Sequence, residues 1–446
     1  MQRRLALLLL ALAAPLAAQA RPAARGSGCS FSLDYVGGVG TQQVFGADTN
    51  YYAGGGVRLS CAGTPVRMAS DSIAFYGRGR NTMVVFVGRV RYRDSLITQE
   101  ADLGTYFKNG ERWEARGNVV TENLENGSTL RGPSLDYLRT MAGVRDTAEL
   151  FAIGRPTIHS VTTDSTGARG EPYVVVGDRV RMKGNDRMWA GGRVTVDRSD
   201  FAARGDSLFL DTGPGNHGLL LGTPSMHGLG RDSFELTGRR IELTLDHQAI
   251  TYVTAVDSGH AVSTDLDLVA DTIGLDLEAE QLVQTLAWGR GLRPRGLTSD
   301  YEIRGDSLAF DTPGRVLNEV RAFRAAWVGG ATDTASGERD WMAGDTVVAR
   351  FVQWDSAGSR RTSLATLAAS GAARSFYRVN DERRPGGLPS INYARGDQIT
   401  VHMKPAGQRG VERVDLRGRV DGLNLEPLPV APAPGDSLPP TRPEAR

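Results

Sequence analysis

The sequence predicts an all-β chain, a two-sheet solenoid of about ten two-stranded repeats. Three observations predict it. A phrase of Gly or Ala, then Asp, then alternating apolar residues returns along most of the chain; a second phrase with a central glycine falls between its copies; and convincing helical periodicity is scarce.

The first phrase is clearest in Gly205-Asp206-Ser207-Leu208-Phe209-Leu210, which returns almost unchanged at Gly305-Asp306-Ser307-Leu308-Ala309-Phe310. Looser copies start at Ser70, Ala101, Gly132, Gly177, Ala270, Gly344 and Gly396, and a degenerate one at Gly238. The spacing is roughly 30 residues, long enough for one hairpin per copy. Period-two alternation puts Leu208 with Leu210, and Ile73 with Phe75, on one face of a strand. The second phrase reads Phe86-Val87-Gly88-Arg89-Val90, Ala115-Arg116-Gly117-Asn118-Val119 and Ala190-Gly191-Gly192-Arg193-Val194. Glycine inside a strand pattern predicts a bulge or bend where a strand passes between sheets. The stretch Glu278 to Trp288 has some helical character, but the repeat frame makes it a strand.

Residues 1–20 read as a cleaved secretory signal: Arg3 and Arg4, an apolar run from Leu5 to Leu16, then Ala18-Gln19-Ala20. The chain is therefore expected in the periplasm, free or associated with the outer membrane. Residues 21–54 form a Gly-rich N-terminal segment, 55–160 the best-patterned repeats, 161–425 more divergent repeats continuing the same stack, and 426–446 a Pro-rich disordered tail. Cys29 and Cys61 are the only cysteines, and in an oxidising compartment they are candidates for one structural disulfide. Lipidation of Cys29 is the competing reading, against which Arg25-Gly26-Ser27-Gly28 lacks the apolar residue expected before such a cysteine.

Net charge is +1, with signs interspersed and only Lys108, Lys183 and Lys404 among the lysines. No basic run offers a nucleic-acid footprint. The Gly-Asp-Ser-Leu tetrapeptides resemble an esterase motif, yet they occupy equivalent repeat positions in a chain without an α/β pattern, so no catalytic residue is expected. His159, His217, His227, His247, His260 and His402 are scattered without ligand spacing, and neither a metal site nor a cofactor is expected. The repeat aspartates read as caps that bond backbone N–H groups at turns.

Taken together, the two phrases resemble the repeat of the LptA/OstA family, most closely over Ser70 to Pro156 through Arg116-Gly117-Asn118-Val119, Leu130-Arg131-Gly132 and Leu135-Asp136-Tyr137. The resemblance covers most of the chain from Val57 to Val420. It implies an elongated twisted β-jelly roll that shelters the acyl chains of lipopolysaccharide, or a related glycolipid, between two sheets. It further implies Lpt-type inner- and outer-membrane partners and end-to-end self-association into a bridge. The residues expected to line the groove are Ile73, Phe75, Val85, Val87, Leu103, Val119, Leu135, Tyr137, Val180, Met182, Leu208 and Leu210. The same residues fit a dry packed core, and with it a structural or adhesive solenoid without ligand. With about ten strands per sheet the stack would extend about 50 Å.

Overall fold

In the computed structural model the described residues are 29–427, apart from 47, 162–170, 214, 230–232, 247–248, 265, 279–280, 331–338, 357–358, 380–387 and 407–409. The proposed signal peptide, the tail beyond residue 427 and His247 lie outside them. The described residues form strands joined by turns and short links, with 3-10 turns at Gly79–Asn81 and Pro313–Arg315 and no α-helix among them.

Every strand pairing is antiparallel, and each hairpin is bent at its middle so that one half lies in a first sheet and the other in a second. Asp48–Cys61, Arg67–Tyr76, Met83–Arg93, Ile97–Phe107, Arg112–Asn123 and Thr129–Leu138 run uninterrupted through both sheets. Beyond them the bend breaks some strands in two. Glu149–Ile153 continues as Thr157–Ser160, and Tyr173–Val176 continues as Arg179–Lys183. Among the described residues, fourteen long strands and eight such end-to-end pairs make twenty-two rungs, or eleven hairpins. Twenty-two segments in each sheet, about 4.8 Å apart, extend roughly 100 Å. That is twice the expected length, because each strand serves both sheets instead of one.

The stack also starts earlier than expected. Phe31–Val36 and Gly40–Phe45 pair with the two halves of Asp48–Cys61, so residues 31–54 are a rung and a half, not a separate segment. A disulfide joins Cys29 to Cys61, with Cα atoms 5.1 Å apart, which ties this first rung to the next and uses the thiol that lipidation would need. At the far end the last rung is Val411–Arg417 with Asp421–Leu425.

The bend is made by the two phrases acting as a pair. In ten of the eleven hairpins the second strand turns the corner with two consecutive residues at positive φ, such as Gly117 (76°) and Asn118 (47°). In six of them, those at Gly88, Gly117, Gly192, Gly222, Gly371 and Gly418, an aspartate of the preceding strand packs beneath the glycine: a β-carbon at Gly117 would lie 2.5 Å from Oδ2 of Asp102. Glycine is needed there for φ and for the close approach. At four of these corners the second residue reaches back to the carboxylate. Asn118 Nδ2 donates to Asp102 at 2.7 Å, Arg89 to Asp71 at 2.6 Å, Arg193 to Asp178 at 2.8 Å and Arg419 to Asp397 at 2.6 Å. The Arg193 hydrogen bond holds Asp178 below the usual carboxylate range. Capping by backbone N–H groups, the expected role, occurs at Asp271, which accepts from Leu292 at 2.6 Å and Gly291 at 2.8 Å and is held low by them. Elsewhere the side chain of the next strand replaces the backbone. Ser207 and Ser307 sit just past such corners and are followed by buried Leu208 and Leu308, so the esterase-like tetrapeptide serves here as a bend.

Candidate lipid chamber between the sheets

The interior of the stack changes character along its length. Toward the N-terminus it is solid: Phe86, Tyr92, Tyr106 and Trp113 are fully buried, and the Tyr92 and Trp113 rings stack at 4.8 Å. The Trp113 ring crosses Gly104, where any β-carbon would collide with it. Its indole N–H donates to Gln99, whose amide donates to Thr121 at 2.8 Å. Aromatic rings of this size fill the space between the two sheets there.

A polar clasp closes the mouth between the sheets just beyond this plug. Asp94 follows Met83–Arg93 on the lip of the second sheet, while Glu111 and Arg139 sit on the lip of the first. The Arg139 guanidinium donates to Glu111 at 2.5 Å and lies 3.5 Å from Asp94. Asp94 also accepts from the hydroxyls of Tyr92 and Tyr137 at 3.0 Å and from the N–H groups of Leu96 and Ile97 at 2.8 and 2.9 Å. Glu111 accepts from the Tyr106 hydroxyl at 2.5 Å and from the Cys29 N–H at 2.7 Å, so the disulfide-tied N-terminus covers the clasp. Burial, together with Asp94 beside Tyr92 and Tyr137 and Glu111 beside Tyr106, pushes all three phenols well above their usual range. The two carboxylates and the one guanidinium are thus each met by several hydrogen bonds, as buried charges must be.

Immediately past the clasp the interior opens into a cavity of about 310 Å³. Ile97, Leu130, Ile158 and Tyr173 line it from the second sheet, and Tyr137, Leu150, Met182, Met188 and Leu210 from the first. It lies where the rungs break in two, so that the pairing closes into a six-membered ring: Thr129–Leu138, Glu149–Ile153, Arg179–Lys183, Arg187–Asp197, Tyr173–Val176 and Thr157–Ser160. A second space of about 50 Å³ continues from it past Tyr173 and Leu210, the two residues common to both linings, toward Leu220, Met226, Ile241 and Ile250. The two adjoining spaces make up the chamber between the sheets.

Of the residues expected to line a groove, Tyr137, Met182 and Leu210 line the first cavity, and Leu208 and Leu210 line the second. Ile73, Val119, Leu135 and Val180 are buried, and Phe75 packs against the same core without lining either space. Val87 and Leu103 are exposed, 47% and 37%, on the outer face, and Val85 shares that face with Val87. For these three the expectation is corrected: Val84 and Phe86 are the buried neighbours in that strand. The reading of the sequence missed Leu150, Ile158, Tyr173 and Met188. Leu150 and Ile158 flank the corner Gly154-Arg155-Pro156, which carries the glycine of the second phrase and could have marked them. The five described histidines are apart from the chamber; His260 pairs with Asp267 at 2.9 Å and His402 with Asp415 at 3.0 Å across strands. No protein-family profile matches the chain, and no curated protein sequence matches it.

Proposed function

We propose that this chain is an exported, non-enzymatic lipid carrier that holds acyl chains between its two sheets during outer-membrane assembly. The observation that carries the reading is the chamber: an apolar space between the sheets in the middle of a stack whose N-terminal part is solid. Each methylene moved from water into such a space gains about 0.8 kcal/mol, and a single chain gains enough to be retained. By resemblance the cargo is lipopolysaccharide or a related glycolipid, and the partners are Lpt-type components of the two membranes. End-to-end assembly is supported by the terminal rungs. Each has one side without a strand partner among the described residues, and each exposes apolar side chains, Leu33, Val44 and Phe45 at one end and Val420, Leu423 and Leu425 at the other.

Uptake of a fluorescent acyl probe by delipidated protein tests the reading. Binding should be saturable and should weaken when Met182→Arg places a charge in the chamber, whereas Val87→Arg on the outer face leaves it unchanged. Absence of saturable uptake, or equal loss in both variants, refutes the carrier and favours a closed structural solenoid.

A further inference from the structure

The mouth of the chamber carries information about the head group. Resting on the carrier reading, and narrowing its cargo to a related glycolipid other than lipopolysaccharide, we infer that the resident ligand is a lipid with an uncharged, hydroxyl-bearing head, of the neutral-glycolipid class, and not a phosphorylated one. The lips of the first cavity are set with amides, hydroxyls and carboxylates: Asn123 and Asn126 on one side, Asp146, Thr147, Asn185 and Asp186 on the other. Asn123 Nδ2 donates across the gap to Asn185 Oδ1 at 2.7 Å, and Asn185 donates in turn to the Glu125 carboxylate. Asp146 and Asp186 therefore set two carboxylates at the place a head group must occupy.

The described basic groups nearby are engaged, or stand on the outer face. Arg139 is held by Asp94 and Glu111, and Arg145 donates to the carbonyls of Arg139 and Gly110, both at 2.7 Å. Arg187 pairs with Asp211 at 3.1 Å. Lys183 and Arg181 alternate with inward Val180 and Met182, so they stand on the outer face, where Arg181 meets Glu149 at 3.0 Å. A phosphate would bring nearly two negative charges beside carboxylates, with no unengaged guanidinium or ammonium in the described lining to receive it. Sugar hydroxyls, which both donate and accept, suit amides, threonine hydroxyls and carboxylates together. The chamber is also at the small end of ligand cavities, which run from about 300 to 1,000 Å³, a size that suits one chain better than a many-chained lipid.

Displacement of the acyl probe from the delipidated full chain, by dodecyl maltoside and by dodecyl phosphate below their micellar concentrations, tests the inference. The two share one chain and differ in the head. The maltoside should displace the probe about tenfold more tightly at low salt, the preference two nearby carboxylates give in water. The gap should narrow at high salt and in an Asp146→Asn, Asp186→Asn double variant. Equal or tighter displacement by the phosphate overturns the inference and leaves the carrier standing. Failure of both to displace a bound probe, or a gap indifferent to salt and to the two aspartates, also overturns it; failure of the probe itself to bind removes the carrier reading with it.

Discussion

Replacing Arg139 by methionine should loosen the N-terminal third of the stack without disturbing the rest. The side chain is 18% exposed and lies between carboxylates that are 4% and 8% exposed, Asp94 and Glu111. Arg139→Met keeps the apolar stem but leaves two buried anions without their cation. Breaking a buried pair this way costs about 3–5 kcal/mol. Here the lower end applies, since Asp94 retains two N–H and two phenol donors and Glu111 retains the Cys29 N–H and the Tyr106 hydroxyl. In a repeat stack the loss is local, because each rung contacts mainly its neighbours. Native-state hydrogen exchange on peptides from 83–138 should therefore speed up by about two decades, the equivalent of about 3 kcal/mol, while peptides beyond residue 250 stay unchanged. Adding Asp94→Asn and Glu111→Gln removes the stranded charges and should restore part of the protection. A single-variant cost below about 1 kcal/mol, or a triple variant no better protected than the single, refutes the clasp as a buried charged network.

At the corners, Gly117→Ala should cost about 2–4 kcal/mol, combining left-handed strain with collision against Asp102, and Asp102→Ala in the same chain should recover part of it. Urea unfolding followed by circular dichroism decides this; a loss under about half a kcal/mol means the corner does not need its glycine. Alkaline pH supplies the other prediction. The folded values of Tyr92, Tyr106 and Tyr137 lie above the unfolded value near 10, so their stabilising difference is complete below about pH 10 and is lost as pH rises above it. Three such groups make stability fall by about 4 kcal/mol per pH unit there. Of the twelve tyrosines, these three should ionise only as the clasp region unfolds, read by phenolate absorbance against circular dichroism. Reversible titration of all twelve near pH 10 in the folded protein contradicts the geometry.

Much of the fold could be read from the two phrases because each marks one side of the same corner. The glycine phrase supplies positive φ, and the aspartate phrase supplies the group that sits beneath it. Which residues face inward was harder to read, and Leu103 shows why. In each aspartate strand the residue after Asp stands outside with it: Ser72, Ser207, Thr272, Ser307, Thr346 and Gln398 hold that place. In the copy at Ala101 the outward place holds a leucine and the inward place a glycine, Gly104, cleared for the Trp113 ring. The pattern there looks inverted until the ring is known. Met83 to Val87 is apolar at every position, so period two cannot choose a face for Val85 and Val87. The clasp escaped notice because Asp94, Glu111 and Arg139 belong to three different turns, and nothing local in the sequence joins them.

Where the stack opens follows from the volumes its rungs place inside. Aromatic rings occupy the interior around Trp113, while farther along alanines such as Ala322, Ala326, Ala349, Ala369 and Ala373 share the interior with larger residues, among them Phe310, Val328, Met342 and Ile399. Between them, residues of middling size such as Leu150, Ile158, Met182 and Leu210 face one another where the rungs break into separate strands. There the corner is an irregular link instead of a continuous ladder. A space too wide for its own side chains stays open only if the backbone resists collapse, and the ring of six strands around it supplies that resistance through hydrogen bonds on every side. With the clasp and the aromatic plug closing one end, a lipid in the chamber has its way barred toward the N-terminus. On the carrier reading, loading and unloading must then use the lateral mouth or the C-terminal direction, and the N-terminal rungs act as the stop that holds the cargo in register.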